Sequence, residues 1–458
     1  MKTSTDTIAA ISTALGSSGI SIIRISGENA FEIAEKLYTG KQKKFCDLAN
    51  RTIHYGHIKE IESGNIIDEV LISKMKAPAT YTEEDIVEIN CHGGLTVAGQ
   101  VLAEVIQAGA RLAEPGEFTK RAFLNGRIDL VQAEAVMDII NAKSKTALNA
   151  AQDRLTGHLS QEINHIKDVL LDILSYIGVG IEYPEYDIEE SDEKNIRLML
   201  SEAKGRLTRL YLSSRRGQIL NEGLKVAIVG KPNAGKSMLL NVLINQDRSI
   251  VTEIPGTTRD IVSEFINIGG IPVKIIDTAG IRKSKNKVEQ IGIERSIQAI
   301  NEAQVIVFVI DSSRKWDSED EQIYSLLKNK DTIYVANKSD LQLHESIKKQ
   351  LRDKQVLYIS ALKKEGLDRI EKKIEEFAGL KAEDVLSEAI AANIRQENLL
   401  KSALDSMDSA IENLDLGLEI DMVEIDIKDC LENLAEITGQ AIGEDIIDRI
   451  FANFCLGK

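Results

Sequence analysis

Lys225–Ser237 reads KVAIVGKPNAGKS, and the fold of the central part of the chain follows from this stretch. The apolar run Val226–Val229 predicts a buried strand, and Met238–Ile244 (MLLNVLI) predicts a helix. Between them, Gly230–Ser237 matches the pattern Gly-x-x-x-x-Gly-Lys-Ser of a phosphate-binding loop. The motif requires a strand, a glycine-rich loop and a helix in this order, and an ordinary glycine-rich turn is the alternative.

The residue types of this loop suit a nucleoside triphosphate. Glycines allow successive backbone N–H groups to turn towards phosphate oxygens, and the helix N-terminus adds a partial positive charge. Lys236 is placed to reach the β- and γ-phosphates, and the Ser237 hydroxyl is placed to bind Mg²⁺. The sequence therefore predicts a nucleotide site.

Four other stretches complete the predicted nucleotide site, and two of them predict that the base is guanine. Asp277–Gly280 (DTAG) follows a predicted strand, where its carboxylate can reach Mg²⁺ through water and its last amide can meet the γ-phosphate. Thr257–Asp260 (TTRD) offers a hydroxyl to the same ion, and Ser360–Leu362 (SAL) offers a backbone amide to the guanine oxygen. In Asn337–Asp340 (NKSD), the asparagine is expected to brace the loops and the lysine stem to lie over the ring. The Asp340 carboxylate can accept both N–H donors of guanine, whereas adenine presents the wrong pattern, so we predict a GTP site.

The residue after DTAG differs from that of the signalling GTPases, which place a glutamine there to orient the attacking water. Here the position is Ile281, whose side chain cannot hold a water molecule, and Arg282 is not an equivalent. We therefore expect hydrolysis to depend on another group.

The composition narrows the class of protein. A chain of 458 residues predicts roughly two to four domains. The formal net charge of −16 argues against a broad basic face for nucleic acid and leaves a local patch open. The four cysteines show no Cys-x-x-Cys spacing, so neither zinc nor a disulfide framework is indicated. We find neither a secretory signal nor a membrane-spanning run and expect a cytoplasmic protein without membrane association.

Apolar periodicity predicts a multidomain protein of the α/β and α classes. Residues 1–122 mix strand and helix patterns and predict an α+β domain, whereas residues 123–220 predict a run of long helices. Residues 221–381 alternate strand and helix patterns, which predicts a Ras-like domain with a parallel sheet and helices on both faces. Residues 382–458 are helical again, so we predict that this domain is inserted into one central helical bundle.

The predicted elements can be stated individually. In the first domain we predict strands at Ile20–Ser26, Glu69–Met75 and Ile86–Asn90 and a helix at Val97–Gln107. In the nucleotide-binding domain the predicted strands are Val226–Val229, Val273–Ile276, Val305–Ile310, Thr332–Ala336 and Val356–Ile359.

Several motifs together resemble one family, the bacterial tRNA modification GTPases called MnmE or TrmE. These are SIIRISG near the N-terminus, PGEFTKRAFLNGRIDL at Pro115–Leu130, GKPNAGKS, IPGTTRD, DTAGIR, VEQIGIERS at Val288–Ser296 and the final FCLGK. The GTPase motifs specify only the broad class, whereas PGEFTKRAFLN and the terminal Cys-Leu-Gly-Lys are specific to this family. The resemblance extends over nearly the whole chain.

The resemblance implies a detailed function. Such proteins are homodimers that form a heterotetramer with a flavoprotein, MnmG or GidA, and act on tRNA. Together they add a carboxymethylaminomethyl group to carbon 5 of the wobble uridine of certain tRNAs. The one-carbon unit comes from a 5-formyl- or methylene-type tetrahydrofolate in the N-terminal domain, which also dimerises. GTP hydrolysis in this family uses potassium and magnesium ions.

The resemblance also implies the role of individual residues. Glu289 matches the catalytic glutamate that acts through water on the nucleophile. The metal ligands implied are Asn233, Thr252, Ile254 and Thr257 for potassium and Ser237 and Thr258 for magnesium. The folate-binding positions implied are Arg24, Glu88, Arg127 and Lys458. The GTP-binding positions are Asn233, Ala234, Gly235, Lys236, Ser237, Met238, Thr252, Glu253, Ile254, Pro255, Gly256, Thr257, Thr258, Asp277, Thr278, Ala279, Gly280, Asn337, Lys338, Asp340, Ser360 and Ala361.

Two positions depart from the family pattern. Arg127 stands where the best-known relative has lysine, which keeps the charge and changes its geometry. Pro255 stiffens the potassium loop without removing a required side chain.

Other functions remain open at this level. A GTP-switched factor for ribosome or RNA assembly would share the same nucleotide site, and a folate-dependent transferase with regulatory GTP would share the N-terminal domain. From the residues alone, Arg24 could equally be a partnered structural arginine and Glu88 an exposed strand-end glutamate. We interpret Cys455 as a packing or positioning residue rather than a nucleophile. The sequence does not identify the tRNAs, the folate species, the nitrogen donor, the place of one-carbon transfer or whether the dimer completes the folate site.

Overall fold

The computed structural model describes residues 6–14, 16–40, 44–142, 145–182, 190–246, 265–268, 271–276, 298–328, 330–378, 393–418 and 420–457. The chain divides into two compact units, Met1–Met137 with Leu434–Lys458, and Asp138–Asn433. Within the described part of the chain, we find no helix that is long and apolar enough to cross a membrane.

The bounds of the elements, labelled in chain order, are as follows. The strands β1–β13 are Ile8–Ile11, Ile20–Ser26, Tyr38–Thr39, Thr52–Lys59, Ile66–Met75, Ile86–His92, Arg111–Leu112, Leu224–Val229, Phe265–Ile268, Ile271–Ile276, Val305–Asp311, Thr332–Asn337 and Val356–Tyr358. The helices α1–α14 are Ala30–Leu37, Leu95–Gln107, Glu117–Leu124, Leu130–Asn141, Lys145–Leu155, His158–Glu182, Glu190–Glu222, Lys236–Gln246, Ser318–Leu326, Glu345–Gln350, Leu367–Ala378, Ile394–Asp415, Ile420–Thr438 and Glu444–Phe451.

The first unit contains a seven-stranded sheet in the order β3-β4-β5-β6-β2-β1-β7. Its pairs are antiparallel except β1 with β7. Alternate residues of β2 and β6, such as Ile23 and Ile89, are buried in a core that α1 and α2 also line. Because the side chains of a strand alternate between the two faces, Arg24 and Glu88 lie on the opposite face, directly across from each other in the register.

The α+β character predicted for the first domain is confirmed, but the sequence reasoning found only part of its sheet. The three predicted strands correspond to β2, β5 and β6, and the predicted helix to α2. The strands β1, β3, β4 and β7 were missed. Two of them, β3 and β7, have only two residues each and therefore carry no periodic signal.

The end of the chain packs within the first unit. The rings of Phe451 and Phe454 lie 5.0 Å apart, and Phe451 also approaches Phe123 of α3. The Gly116 amide donates to the Cys455 carbonyl oxygen at 3.3 Å, just before α3 begins. These contacts hold the C-terminal segment against the helix that carries the PGEFTKRAFLN motif.

The second unit contains long helices, which confirms the helices predicted before and after the nucleotide-binding domain. The buried residues of α7 recur at helical spacing, as at Ile196, Leu200 and Ala203. The helix α12 lies along α7, where Lys204 pairs with Asp408 at 2.5 Å. The domain boundaries stay a prediction.

The nucleotide-binding part has a six-stranded sheet in the order β13-β12-β11-β8-β10-β9. Separate buried clusters lie on its two faces, one including α8 and α11 and the other α10, as predicted. The parallel pairing predicted for this sheet is confirmed for β8, β10, β11, β12 and β13. One edge carries a strand that was not predicted, β9, which pairs antiparallel with β10. Only the two residues 269–270 separate these strands, too few for a crossover, so the chain can only return antiparallel.

Candidate functional site

The phosphate-binding loop follows β8 and leads into α8. Gly230 has φ of +149°, and a Cβ atom there would lie 2.2 Å from the Val309 carbonyl oxygen of β11. Gly235 has φ of +98°, and a Cβ atom there would lie 2.1 Å from Nδ2 of Asn337. Neither position has room for a side chain, so both glycines are needed for the loop to pack against its neighbours.

Lys236 is folded back onto this loop. Its ammonium donates to the carbonyl oxygens of Gly230 at 2.6 Å and Lys231 at 2.8 Å. Burial disfavours the charged form and lowers the pKa of Lys236. The carbonyl bonds hold a cation at the centre of the loop, in reach of an anionic ligand.

The other described residues of the loop differ in exposure. Ala234 is buried, whereas Asn233, Ser237 and Met238 are exposed. Asn233 has φ of +63°, a left-handed conformation that asparagine tolerates better than most residues. The Asn233 amide and the Ser237 hydroxyl are therefore accessible to a ligand or ion.

Asn337 joins two further loops to the phosphate loop. Its side chain is only 2% exposed; Nδ2 donates to the Ala234 carbonyl at 2.9 Å, and Oδ1 accepts from the Ala361 amide at 3.0 Å. The bracing contact expected of Asn337 is present. Nucleotide binding by Asn337 and Ala361 stays a prediction.

The Asp340 carboxylate is also held in place. It accepts a hydrogen bond from the Ser360 hydroxyl at 2.6 Å, and this bond lowers the pKa of Asp340. The carboxylate therefore remains ionised at neutral pH and can act as an acceptor.

Lys338 has a partner that sequence reasoning missed. It has φ of +65°, and its ammonium lies 2.6 Å from Oδ2 of Asp311, the last residue of β11. Burial alone would raise the pKa of Asp311, but hydrogen bonds from Lys338 and Ser313 outweigh it and lower that pKa. The expectation that the Lys338 stem lies over guanine stays a prediction.

A second missed contact ties the phosphate loop to α9. The Lys231 ammonium lies 2.5 Å from Asp317 and 2.8 Å from Asp320, which together form the capping box of α9. Two carboxylates near one helix N-terminus share this single cation. The sequence signal for this contact is the capping pattern Asp-Ser-Glu-Asp at the start of α9. That pattern predicts the helix start but does not identify Lys231 as the cation.

We expect Lys231→Met to lower the free energy of unfolding of the nucleotide-binding part by about 1–3 kcal/mol, because Asp320 is almost fully buried and would lose its cation. Urea unfolding followed by the fluorescence of Trp316, the one tryptophan of the chain, reports on this segment directly. Lys373→Met is the control: it removes a surface pair with Glu376, worth about 0–1 kcal/mol. Equal losses in the two variants would contradict the prediction.

The first unit brings together three of the residues implied for folate. Nε of Arg24 donates to Oε1 of Glu88 at 2.9 Å. Arg127 lies over the ring of Tyr81, with its Cζ atom 4.9 Å from the ring centre, and Arg24 lies 5.6 Å from the same centre. Sequence reasoning did not select Tyr81.

The chain approaches this sheet again at its end. Gly457 has φ of +87°, and a Cβ atom there would lie 2.3 Å from the carbonyl oxygen of Ile11, the last residue of β1. The Cys455 side chain is exposed, so the packing role considered for it is wrong, whereas a positioning role stays a prediction. The Cys455 carbonyl oxygen makes the contact with Gly116.

The remaining predicted site residues lie outside the described residues. They are Thr252, Glu253, Ile254, Pro255, Gly256, Thr257, Thr258, Asp277, Thr278, Ala279, Gly280, Glu289 and Lys458. Among the described residues, no cluster of three or more His, Cys, Asp or Glu side chains could hold a metal ion.

Comparisons with known proteins cover both units. A family model described as the MnmE helical domain matches residues 130–455, and one described as the GTP-binding protein TrmE N-terminus matches residues 7–127. The tRNA modification GTPase MnmE of Acetivibrio thermocellus is 47% identical over 99% of this chain and 99% of its own length. That of Bacillus velezensis is 44% identical over 99% of this chain and 100% of its own length.

A solved structure resembles one part of the chain. Era, in a complex with MgGDPNP and a segment of 16S ribosomal RNA, is 39% identical over 33% of this chain and 55% of Era, with a TM-score of 0.26.

Proposed function

Because the chain belongs to the MnmE family of tRNA modification GTPases, and is thus a GTP hydrolase coupled to tRNA modification, we propose that it adds a carboxymethylaminomethyl group to carbon 5 of the wobble uridine. It would do so with a flavoprotein of the MnmG or GidA type, as a heterotetramer built on its own homodimer. The observation that carries the proposal is the likeness of relatives along 99% of the chain, together with the family model that matches residues 7–127 of the N-terminal part. A tRNA substrate agrees with a cytoplasmic location.

The proposed hydrolysis assigns a task to each loop. Lys236 binds the β- and γ-phosphates, Ser237 and Thr258 hold Mg²⁺, and the Asp277 carboxylate reaches that ion through water. Asp340 accepts the guanine N–H donors, and its bond from Ser360 supports this by fixing the carboxylate. Glu289 acts through water on the attacking nucleophile, where Ile281 cannot.

A potassium ion is proposed beside the phosphates. Asn233 and Thr252 would provide side-chain ligands, and Ile254 and Thr257 would provide carbonyl oxygens. The exposed Asn233 amide in the described part of the loop fits this task, since an amide oxygen is a suitable ligand for a hard cation. The ion would supply positive charge where it develops in the transition state.

A tetrahydrofolate derivative is proposed in the first unit, held by Arg24, Glu88, Arg127 and Lys458. The residues present fit such a ligand, because Glu88 offers a carboxylate to an amino group and Arg127 offers an exposed guanidinium to a carboxylate. The group would supply the one-carbon unit. The protein would bind and orient it.

The decisive experiment is nucleoside analysis of tRNA from a strain that lacks this gene, with and without the gene restored. The proposal is supported if the modified wobble uridine is absent from the strain that lacks the gene and returns when the gene is restored. Normal tRNA together with defective ribosomal particles would favour a GTP-switched assembly factor instead.

Asp340→Asn is expected to weaken GTP binding by about thirtyfold, because a charged acceptor worth about 2 kcal/mol is lost. The same variant should bind xanthosine triphosphate better than the wild type, since the amide can donate where the carboxylate accepted. Competition binding with the two nucleotides measures both effects. Asp331→Asn, an exposed aspartate outside the proposed site, is the control. An unchanged preference in Asp340→Asn would remove Asp340 from guanine recognition.

A further inference from the structure

Tyr81 contacts both arginines of the proposed folate site. The guanidinium carbons of Arg127 and Arg24 lie 4.9 Å and 5.6 Å from the centre of its ring. These distances fall within the range of about 6 Å in which an aromatic ring attracts a cation. Nη1 of Arg127 also donates to the Tyr81 carbonyl oxygen at 3.1 Å. One residue therefore contacts two cations that would otherwise repel each other.

The Tyr81 ring is itself fixed by its surroundings. Its hydroxyl forms a 2.9 Å hydrogen bond with Thr119, a fully buried residue of α3. The next residue, Thr82, is bonded to Ser26 of β2 through its hydroxyl at 2.7 Å. Its carbonyl oxygen accepts from Asn125 at 2.6 Å. Anchored on both a strand and a helix, the ring is held in place before any ligand arrives.

The cations near the ring differ in whether they have a carboxylate partner. Arg24 is paired with Glu88 through two contacts, at 2.8 Å and 2.9 Å. Arg127 is exposed and forms no ion pair with a carboxylate among the described residues. The neighbouring Arg121 is paired with three acidic residues, and Arg111 shares two of them; the three are Asp6, Glu84 and Glu117. Arg127 is thus the guanidinium of the proposed folate site that is left for an anionic group of a ligand.

We propose that Tyr81 is a positioning residue of the proposed folate site and divides its two arginines between the two ends of the ligand. It holds Arg24 with Glu88 towards the neutral, hydrogen-bonding pterin ring, and it holds Arg127 towards the glutamyl carboxylates. The inference rests on the proposed folate binding. It adds Tyr81 to the site and states which end of the ligand each arginine faces.

Calorimetric titration of the full chain with 5-formyltetrahydrofolate tests the inference. Tyr81→Leu should weaken binding by about tenfold, because Arg127 loses its cation–ring contact and Arg24 keeps only the one with Phe118. Tyr81→Phe keeps the ring, loses only the bond to Thr119, and should stay within about threefold of the wild type. Rescue by phenylalanine separates a role of the ring from a general loss of folding, and GTP turnover in each variant checks the rest of the protein.

Arg127→Gln tests the polarity without altering the ring. It should weaken 5-formyltetrahydrofolate by about tenfold and leave tetrahydropterin, which lacks the glutamyl group, unchanged. Equal weakening of both compounds would overturn the assignment of Arg127, and wild-type affinity in Tyr81→Leu would overturn the role of Tyr81. A wild-type protein that binds neither compound would refute the proposed folate site itself, which is a different outcome from the other two.

Discussion

GTP hydrolysis by this protein is expected to be about a thousandfold faster in potassium chloride than in sodium chloride at equal ionic strength. Ile281 occupies the position at which signalling GTPases place their catalytic glutamine, so the transition-state charge needs another source of stabilisation. A monovalent cation bound by Asn233 and the loop Thr252–Thr257 would supply it. The effect should appear in kcat, because the ion acts on charge that develops during the reaction.

The structure indicates which substitution tests the role of Asn233 most cleanly. Asn233 has φ of +63°, which alanine adopts only with strain, so Asn233→Ala alters the backbone as well as the ligand. Asn233→Gly tolerates this conformation and removes only the side-chain oxygen. We expect it to bind GDP nearly normally and to lose the potassium response, and Asn233→Asp, which keeps an oxygen in place, to retain it. Comparable turnover of the wild-type protein in both salts would exclude the ion from the mechanism.

Removal of Gly457 and Lys458 is expected to lower tRNA modification by about a hundredfold and to leave GTP hydrolysis within about twofold. Gly457 lies against the last residue of β1, so the tail ends beside the sheet that carries Arg24 and Glu88. We propose that Lys458, the next residue, binds an anionic group of the ligand. GTP turnover should persist because the phosphate loop belongs to the other compact unit.

A single substitution separates the position of the tail from its charge. Gly457→Ala keeps Lys458 but places a Cβ atom 2.3 Å from the Ile11 carbonyl oxygen, so the tail must move. We expect modification, measured by nucleoside analysis of cellular tRNA, to fall nearly as far as in the deletion. Gly443→Ala is the matched control, since Gly443 has φ of −69° and nothing within 4 Å of its Cβ position. Normal modification in the truncated protein would show that the tail is structural.

In the first unit, the local pattern of apolar residues predicted some strands and not others. Alternating apolar residues such as Ile23 and Ile25 made β2 predictable, because one face of the strand is buried. The pattern did not reveal β1, whose sequence IAAI is apolar throughout and fits either type of element. In the nucleotide-binding part, Gly269 and Gly270 lie between β9 and β10. A Gly-Gly pair between two apolar runs is a hairpin signal that predicts antiparallel strands, although β9 was not among the predicted strands.

The nucleotide site was predictable for a related reason. Its loops follow strands of one sheet, and the carboxyl ends of parallel strands meet at one edge, so motifs distant in sequence could be placed together. Asn337 and Asp340 were assigned in this way, and the structure places Asn337 against both Ala234 and Ala361. No such rule places the proposed folate residues together, so only the family resemblance selected Arg24 and Arg127.

The sequence by itself determined the phosphate loop, its flanking strand and helix, and the family, because these depend on residues close together in the chain. Only the tertiary structure decided that Lys231 pairs with Asp317 and Asp320 and that the ring of Tyr81 contacts two arginines. Such contacts join segments far apart in sequence, and many acidic or aromatic residues could have served equally well. The packing of the sheets and helices selects the partner, since it alone brings these side chains within a few ångströms of each other.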